Sequence, residues 1–111
     1  MKRIEAVIQR HRLSKIVSAL HALPHFPGFT VFDAHGQGQG HGSGGHYVAG
    51  EDPGLLYHER CALVIFCEDN EVDEIARAIT SAAHTGNRGD GIVVVSEVGS
   101  IVRVREGGHA P

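Results

Sequence analysis

The chain has 111 residues and a formal net charge of −3 with neutral histidines, which suits one domain with one modest core. This balance gives no overall attraction to nucleic acid or to an acidic membrane, so any anion site has to come from local clusters of basic groups. The chain begins Met1-Lys2-Arg3 without an apolar signal segment, and no apolar run approaches the ~20 residues that span a bilayer. We therefore expect a soluble cytoplasmic protein without nucleic-acid binding or membrane insertion.

The first third of the chain predicts a strand, a helix and a second strand. Apolar residues alternate from Lys2 to Gln9, which is the period of a strand with one buried face. Ser14 is the predicted N-cap of a helix that Pro24 and Pro27 terminate. The run Phe29-Thr30-Val31-Phe32 is aromatic and β-branched, which predicts the second strand. The apolar stripe of the helix is Leu13, Ile16, Val17, Leu20 and Leu23.

A glycine-rich stretch separates the two halves of the chain. Seven glycines lie between Gly36 and Gly50, with almost no apolar residue among them. A long insertion of this kind in a small domain is usually functional or disordered. The stretch predicts a long flexible loop over about residues 36–58.

The second half begins with a nearly continuous apolar run from Arg60 to Cys67, which is typical of a strand buried on both faces. Cys61 and Cys67 fall on one face of it, which indicates small core residues in a reducing compartment rather than a disulfide. Asn70 is the predicted N-cap of the second helix. The buried stripe of that helix is Val72, Ile75, Ala76, Ile79 and Ala83.

A fourth strand is predicted over Ile92 to Val95, then a short extended segment from Ser100 to Arg105 and a polar tail over about residues 106–111. This order gives two βαβ halves of a single α+β domain, a ferredoxin-like βαββαβ sandwich over residues 1–111. Two helices cover only one face of such a sheet. We therefore expect a homo-oligomer that buries the other face, the alternative being a monomer with an exposed apolar face.

The stretch from His84 to Gly91 joins the second helix to the fourth strand and contains three glycines, Arg88 and Asp90. Glycine lets successive backbone N–H groups converge on an anion, so the stretch predicts a phosphate cradle. Arg103 and Arg105 alternate on the predicted extended segment, so both side chains leave from one face and reach the same anion.

Simpler interpretations exist for each of these features. The glycines turn a helix into a strand, Asp90 braces its own turn, and Thr85 caps backbone groups. Arg103 and Arg105 then form an ordinary solvated strand face.

Taken together, the segments 1–8, 28–31, 85–91 and 102–105 resemble the P-II nitrogen-regulatory signalling proteins. The resemblance covers most of the chain, and its most specific element is the Thr-Gly-x-x-Gly-Asp-Gly string followed by two arginines. It implies a homotrimer that binds ATP or ADP in clefts between subunits. It also implies a long loop that docks onto and controls a target protein, often a membrane transporter, without enzymatic activity.

The resemblance assigns roles to residues of this chain. The family places a phosphate-binding lysine where this sequence has Ile92, and Arg88 is the expected substitute. Gln39 is an expected ligand for Mg²⁺ beside the phosphates. The implied nucleotide-binding residues are Thr30, Gly36, Gly38, Gln39, Thr85, Gly86, Arg88, Gly89, Asp90, Gly91, Arg103 and Arg105.

The resemblance also assigns a partner-binding loop. Asp52 stands near the loop tip where many members carry a nucleotidylated tyrosine, and Arg60 replaces a lysine of the family. Gln9 occupies a position that is often basic. The expected partner-binding residues are Gly40, His41, Tyr47, Asp52 and Arg60.

Nine histidines are many for this length, and His35, His41, His46 and His58 lie in or beside the glycine-rich stretch. Imidazole is a good ligand for Zn²⁺, Cu²⁺ and Ni²⁺, so an alternative function is a metal-binding or metal-responsive regulator linked to heavy-metal efflux. The simpler interpretation is a set of solvated polar side chains. A small enzyme with His84 and Asp90 as an acid/base pair is a third possibility, although the sequence offers no obvious nucleophile.

Overall fold

Two helices lie on one face of a four-stranded antiparallel sheet in the computed structural model, which describes residues 1–36 and 58–107. The sheet order β2-β3-β1-β4 and the order of elements along the chain are those of a ferredoxin-like α+β fold, which confirms the predicted fold class. The elements are β1 (Lys2–Gln9), α1 (Leu13–His21), β2 (Thr30–Gly36), β3 (His58–Cys67), α2 (Val72–Ala83) and β4 (Gly91–Glu97).

The core lies between the sheet and the two helices. In β1 every second residue from Ile4 to Ile8 is buried, and the register pairs Ile4 with Ile65 and Ala6 with Leu63, so both central strands direct alternate side chains toward the helices. This is the arrangement that the alternation in β1 predicts. The fully buried aliphatic side chains are Ile4, Ile8, Ile16, Leu20, Leu63, Ile65, Ile75 and Ile79.

The opposite face of the sheet, the open sheet face, is apolar and uncovered in the single chain. Its side chains include Phe32, Phe66, Ile92 and Val94, which are 54%, 50%, 61% and 48% exposed. The prediction that β3 is buried on both faces is therefore wrong for one chain, because the helices cover only its Leu63 side. An apolar surface of this kind in a water-exposed position indicates an interface.

Both helices begin differently from the predictions. α1 follows a 3₁₀ turn, Arg10–Arg12, and no side chain caps it, so Ser14 lies inside the helix rather than before it. α2 follows the 3₁₀ turn Asp69–Glu71, and the capping box there consists of Glu68 and Glu71 rather than Asn70. A 3₁₀ turn that runs into a helix supplies carbonyl partners for the first helical amides, which moves the cap upstream.

The predicted extended segment from Ser100 to Arg105 is not a strand. Residues 100–103 have no regular structure, and Val104–Glu106 forms a single 3₁₀ turn. Val104 is 97% exposed. A strand needs a neighbouring edge for its hydrogen bonds, and the described part of this chain pairs no strand with these residues.

None of the helices in the two described ranges combines the length and the apolar character needed to cross a bilayer.

Gly91, the first residue of β4, has no room for a side chain. Its φ is +119°, and a Cβ there would lie 2.0 Å from the Val7 carbonyl oxygen. We expect Gly91→Ala to lower the free energy of unfolding by about 2–4 kcal/mol through backbone strain and overlap. Urea unfolding followed by circular dichroism measures the change. Gly99→Ala is the matched control because no atom lies within 4 Å of its Cβ position, and equal stability of the two variants would contradict the prediction.

Candidate functional site

The turn between α2 and β4, residues 84–90, is closed by the carboxylate of Asp90. That carboxylate accepts hydrogen bonds from the Thr85 hydroxyl, from the Thr85 N–H at 2.8 Å and from the Gly86 N–H at 3.1 Å. The Asn87 N–H donates to the Thr85 hydroxyl oxygen at 3.2 Å. Asp90 and Thr85 therefore brace the turn, as the simpler interpretation of the sequence predicts.

The same contacts determine the charge of Asp90. The Thr85 hydroxyl, followed by the two backbone N–H groups, holds the pKa of the Asp90 carboxyl below its usual range, and the His84 imidazole adds a smaller electrostatic contribution. His84 Nδ1 lies 3.7 Å from Asp90 Oδ2, and the His84 side chain is 74% exposed. The carboxylate is thus a structural acceptor inside the turn, which leaves the acid/base hypothesis without support.

These bonds reduce the number of main-chain donors for an anion. The N–H groups of Thr85, Gly86 and Asn87 are occupied inside the turn. The N–H groups of Arg88 and Gly89 have no acceptor in residues 1–36 and 58–107. The part of the turn that presents free donors is therefore shorter than the glycine pattern predicts.

A second anchor holds the far end of the turn. The Gly89 carbonyl oxygen accepts one hydrogen bond from Gln9 Nε2 at 3.0 Å and another from the guanidinium of Arg60. Arg60 is only 7% exposed. Gln9 lies 80 positions from Gly89 in sequence, so no local sequence pattern predicts this contact.

The 3₁₀ turn Arg10–Arg12 forms hydrogen bonds to the end of α2 and to β3. Arg12 donates to the Ala82 carbonyl through Nε at 3.1 Å and Nη2 at 2.8 Å, which satisfies a carbonyl at the C-terminal end of α2. Arg10 Nη2 donates to the Arg60 carbonyl at 3.4 Å, and Arg10 also lies 3.4 Å from a carboxylate oxygen of Asp33. None of these contacts follows from a local sequence pattern.

A cavity of about 480 Å³ opens beside the turn. Both the buried Arg60 and the exposed Ile92 line it. Its lining residues are Val7, Gly36, Arg60, Asn87, Gly89, Asp90, Gly91 and Ile92.

A second cavity, of about 410 Å³, lies at the other end of β2. Its lining residues are Met1, Pro27, Gly28, Phe29, Thr30, Val64, Ile65, Phe66, Cys67, Glu68, Glu71, Ile101 and Arg103. Thr30 and Gly36 are the first and last residues of β2, so at about 3.3 Å per residue they are roughly 20 Å apart, and the two cavities lie at opposite ends of the strand.

The structure therefore divides the predicted nucleotide-binding residues into two groups. Gly36, Gly89, Asp90 and Gly91 line the first cavity, whereas Thr30 and Arg103 line the second. Thr85, Gly86 and Arg88 belong to the same turn as Gly89 but line neither cavity. Arg105 is exposed in the 3₁₀ turn Val104–Glu106 and does not share a strand face with Arg103. Gly38 and Gln39 lie outside the described residues.

The predicted partner and metal residues are mostly outside the described ranges as well, namely Gly40, His41, His46, Tyr47 and Asp52. Arg60, predicted as the first residue of the third strand and as a partner-binding residue, is part of β3, and its guanidinium donates to the Gly89 carbonyl of the turn. His35 is exposed in β2, and His58 is the first residue of β3. Within residues 1–36 and 58–107, no three His, Cys, Asp or Glu side chains converge as a metal site would require.

Comparison with known proteins assigns this chain to a family. The model of the family "Nitrogen regulatory protein P-II" matches residues 1–108. The nitrogen regulatory protein P-II of Azospirillum brasilense is 36% identical over 107 residues, covering 96% of this chain and 94% of that protein. Nitrogen regulatory protein P-II 1 of Methanothermobacter thermautotrophicus is 34% identical over 109 residues, with 98% and 93% covered.

The P-II protein of Synechocystis sp. is 32% identical over 107 residues, again covering 96% of this chain and 94% of the relative. Proteins of this family are regulatory signal transducers and not enzymes. Because the family model spans nearly the whole sequence and the relatives match over nearly their whole length, this chain belongs to the P-II family of nitrogen regulatory proteins.

Proposed function

We propose that this protein is a homotrimeric signal transducer that binds ATP or ADP between subunits and reports the bound nucleotide to a target protein. The observation that carries the proposal is the division of the site into two cavities at opposite ends of β2. Thr30 and Gly36, which line them, are roughly 20 Å apart along β2, so the two cavities of one subunit are separate sites. Two adjacent subunits bring the first cavity of one against the second cavity of the other.

The chemistry of the two cavities is complementary in this arrangement. The first supplies the free N–H group of Gly89 and the guanidinium of Arg60, which are donors for phosphate oxygens, and the free N–H group of Arg88 precedes Gly89 in the same turn. The second supplies apolar side chains such as Phe29 and Val64 for a base, with Arg103 as an additional cation. Phosphates therefore lie against the turn and the base against the start of β2 of the neighbour.

The open sheet face supports the trimer. Trimers are typical of the P-II family, and Phe32, Phe66 and Val94 on this face are about half exposed in one chain. Burial of such side chains contributes roughly 25 cal/mol per Å² of apolar area, so a trimer that covers the face gains stability from each of them.

Control of a partner is proposed through residues 37–57, which connect β2 to β3. Gly36 borders the first cavity, and Arg60 lies two residues after the start of β3. Both ends of the connection are therefore next to the proposed phosphate site, so occupancy of that site biases the chain that leaves it. By resemblance to the family, we propose a membrane transporter as the target.

The metal-responsive alternative has less support. It depends on His41 and His46, which lie outside the described residues, and the described part of the chain gathers no metal-ligand group. Asp90 is also occupied by its own turn. We therefore restrict the proposal to the nucleotide, with Mg²⁺ as its usual counter-ion and Gln39 as the expected protein ligand.

Removal of Arg103 tests the proposed nucleotide site. We expect Arg103→Ala to weaken ATP and ADP binding by about 10- to 100-fold, because a hydrogen bond to a charged group contributes about 1.5–3 kcal/mol. Isothermal titration calorimetry on the intact oligomer measures the affinity. Arg77→Ala is the matched control, since Arg77 is exposed on α2 and contacts neither cavity. A wild-type protein that binds no adenine nucleotide would refute the proposal.

Disruption of the open sheet face tests the trimer. We expect Val94→Asp to yield monomers, because three buried carboxylates near one interface are strongly destabilising. Native mass spectrometry and light scattering distinguish the two states. Thr80→Asp, which places the same charge on the exposed side of α2, should remain trimeric. A trimeric Val94→Asp protein would place the subunit interface elsewhere.

The pH dependence of stability tests the brace in the turn. Asp90 has a lowered pKa in the folded protein, so its contribution is fully present above the unfolded pKa near 4 and disappears as the pH falls through the native pKa. We expect Asp90→Asn to be less stable than the wild type at pH 7 and to approach it below about pH 4. Urea unfolding between pH 7 and pH 3 measures this.

Glu106→Gln is the control for loss of a carboxylate, because Glu106 is exposed and outside the turn. A constant difference between wild type and Asp90→Asn across the whole pH range would show that the ionised carboxylate does not stabilise the turn.

A further inference from the structure

We infer that Gln9 and Arg60 are positioning residues that fix the Gly89 carbonyl and thereby direct the free N–H groups of the turn toward the ligand. The inference rests on the proposed nucleotide site. Its central observation is that one carbonyl oxygen accepts hydrogen bonds from two side chains on different strands, Gln9 from the end of β1 and Arg60 from β3.

The Gly89 carbonyl needs such restraint because the backbone around it is unusually free. Gly89 has φ of +84°, and Gly91 follows two residues later with φ of +119°. A rotation of the peptide between Gly89 and Asp90 exchanges a carbonyl oxygen for an N–H group. If the Gly89 carbonyl oxygen pointed into the cavity, its partial negative charge would repel an anion. The two hydrogen bonds from Gln9 and Arg60 keep it from pointing there.

The two hydrogen bonds from Gln9 and Arg60 to the Gly89 carbonyl, here called the clamp, complement the hydrogen bonds of Asp90 at the other end of the turn. The Asp90 carboxylate holds the N–H groups of Thr85 and Gly86, whereas Gln9 and Arg60 hold the Gly89 carbonyl. Between these two anchors the N–H groups of Arg88 and Gly89 have no acceptor in the described residues. The anchors therefore leave free those main-chain groups that suit a phosphate oxygen.

Both donors are themselves oriented. Gln9 Oε1 lies 2.5 Å from Nε2 of His11, and acceptance of that hydrogen bond directs the amide nitrogen of Gln9 to Gly89. Arg60 is fixed at the backbone, where its carbonyl accepts a hydrogen bond from Arg10. A Cβ on Gly89 would lie 3.1 Å from Arg60 Nη2, so the guanidinium packs directly against the glycine.

Two substitutions separate positioning from direct contact with the ligand. Gln9→Met removes a donor of the clamp at nearly constant volume and constant charge, whereas Arg60→Met removes the other donor and a cation. Loss of one hydrogen bond corresponds to about a fivefold change in an equilibrium. We expect each variant to accelerate amide hydrogen exchange of residues 85–91 in the nucleotide-free protein by about that factor or more.

Calorimetric titration with ATP should show weaker binding in both variants, by about fivefold or more in Gln9→Met. Because the two side chains share one acceptor, the double variant should deviate from the sum of the single effects. Arg60→Lys retains a donor and should recover part of the loss. Arg77→Met, on the exposed face of α2, is the matched control and should behave as wild type in both measurements.

The inference is overturned if exchange of residues 85–91 in folded Gln9→Met and Arg60→Met equals that of Arg77→Met. It is also overturned if Arg60→Met weakens ATP binding while Gln9→Met leaves it unchanged, since Arg60 then acts only by touching the ligand. A wild-type protein without affinity for ATP or ADP refutes the proposed function instead, and the exchange measurement alone then decides whether the clamp exists.

Discussion

The candidate site depends on one short-range interaction, the binding of the Asp90 carboxylate by its own turn. The turn carries no helix or strand bonds from Thr85 to Asp90, and ordering each residue costs about 1–2 kcal/mol of backbone entropy. The Thr85 hydroxyl and the N–H groups of Thr85 and Gly86 give the carboxylate three partners. These hydrogen bonds take the place of the helix or strand hydrogen bonds that the segment lacks. The glycine-rich segment is therefore held in one conformation beside the first cavity.

The hydrogen bonds of Asp90 also affect the charge beside Gly89, and a neighbouring hydrogen bond connects Gly89 to β3. A carboxylate beside an anion site opposes binding, but the lone pairs of Asp90 already face donors inside the turn, and the buried guanidinium of Arg60 lies on the other side of Gly89. Arg60 belongs to β3 close to the point where the chain returns from residues 37–57. One hydrogen bond therefore links Gly89 to the strand that follows residues 37–57.

Periodicity predicted the core well because buried side chains in β1, α1 and α2 follow the repeat of their own element. Ile4, Ala6 and Ile8 alternate, and Ile75 and Ile79 recur at helical spacing. Local pattern did not reveal the contact between Gln9 and Gly89, because it joins residues that only the pairing of β1 with β3 and β4 brings together. The predicted helix caps at Ser14 and Asn70 were wrong because a 3₁₀ turn precedes each helix.

The two remaining errors share a physical cause. β3 was predicted to be buried on both faces although Phe66 is 50% exposed, and residues 100–105 were predicted to be an extended segment although Val102 and Val104 are 48% and 97% exposed. In both segments the apolar pattern demands a covering surface that the described part of one chain lacks. Apolar residues occur where the assembled protein is buried, and in the proposed trimer the neighbouring subunits contribute to that burial. Where pattern and single chain disagree, the disagreement therefore points to surfaces that meet another copy.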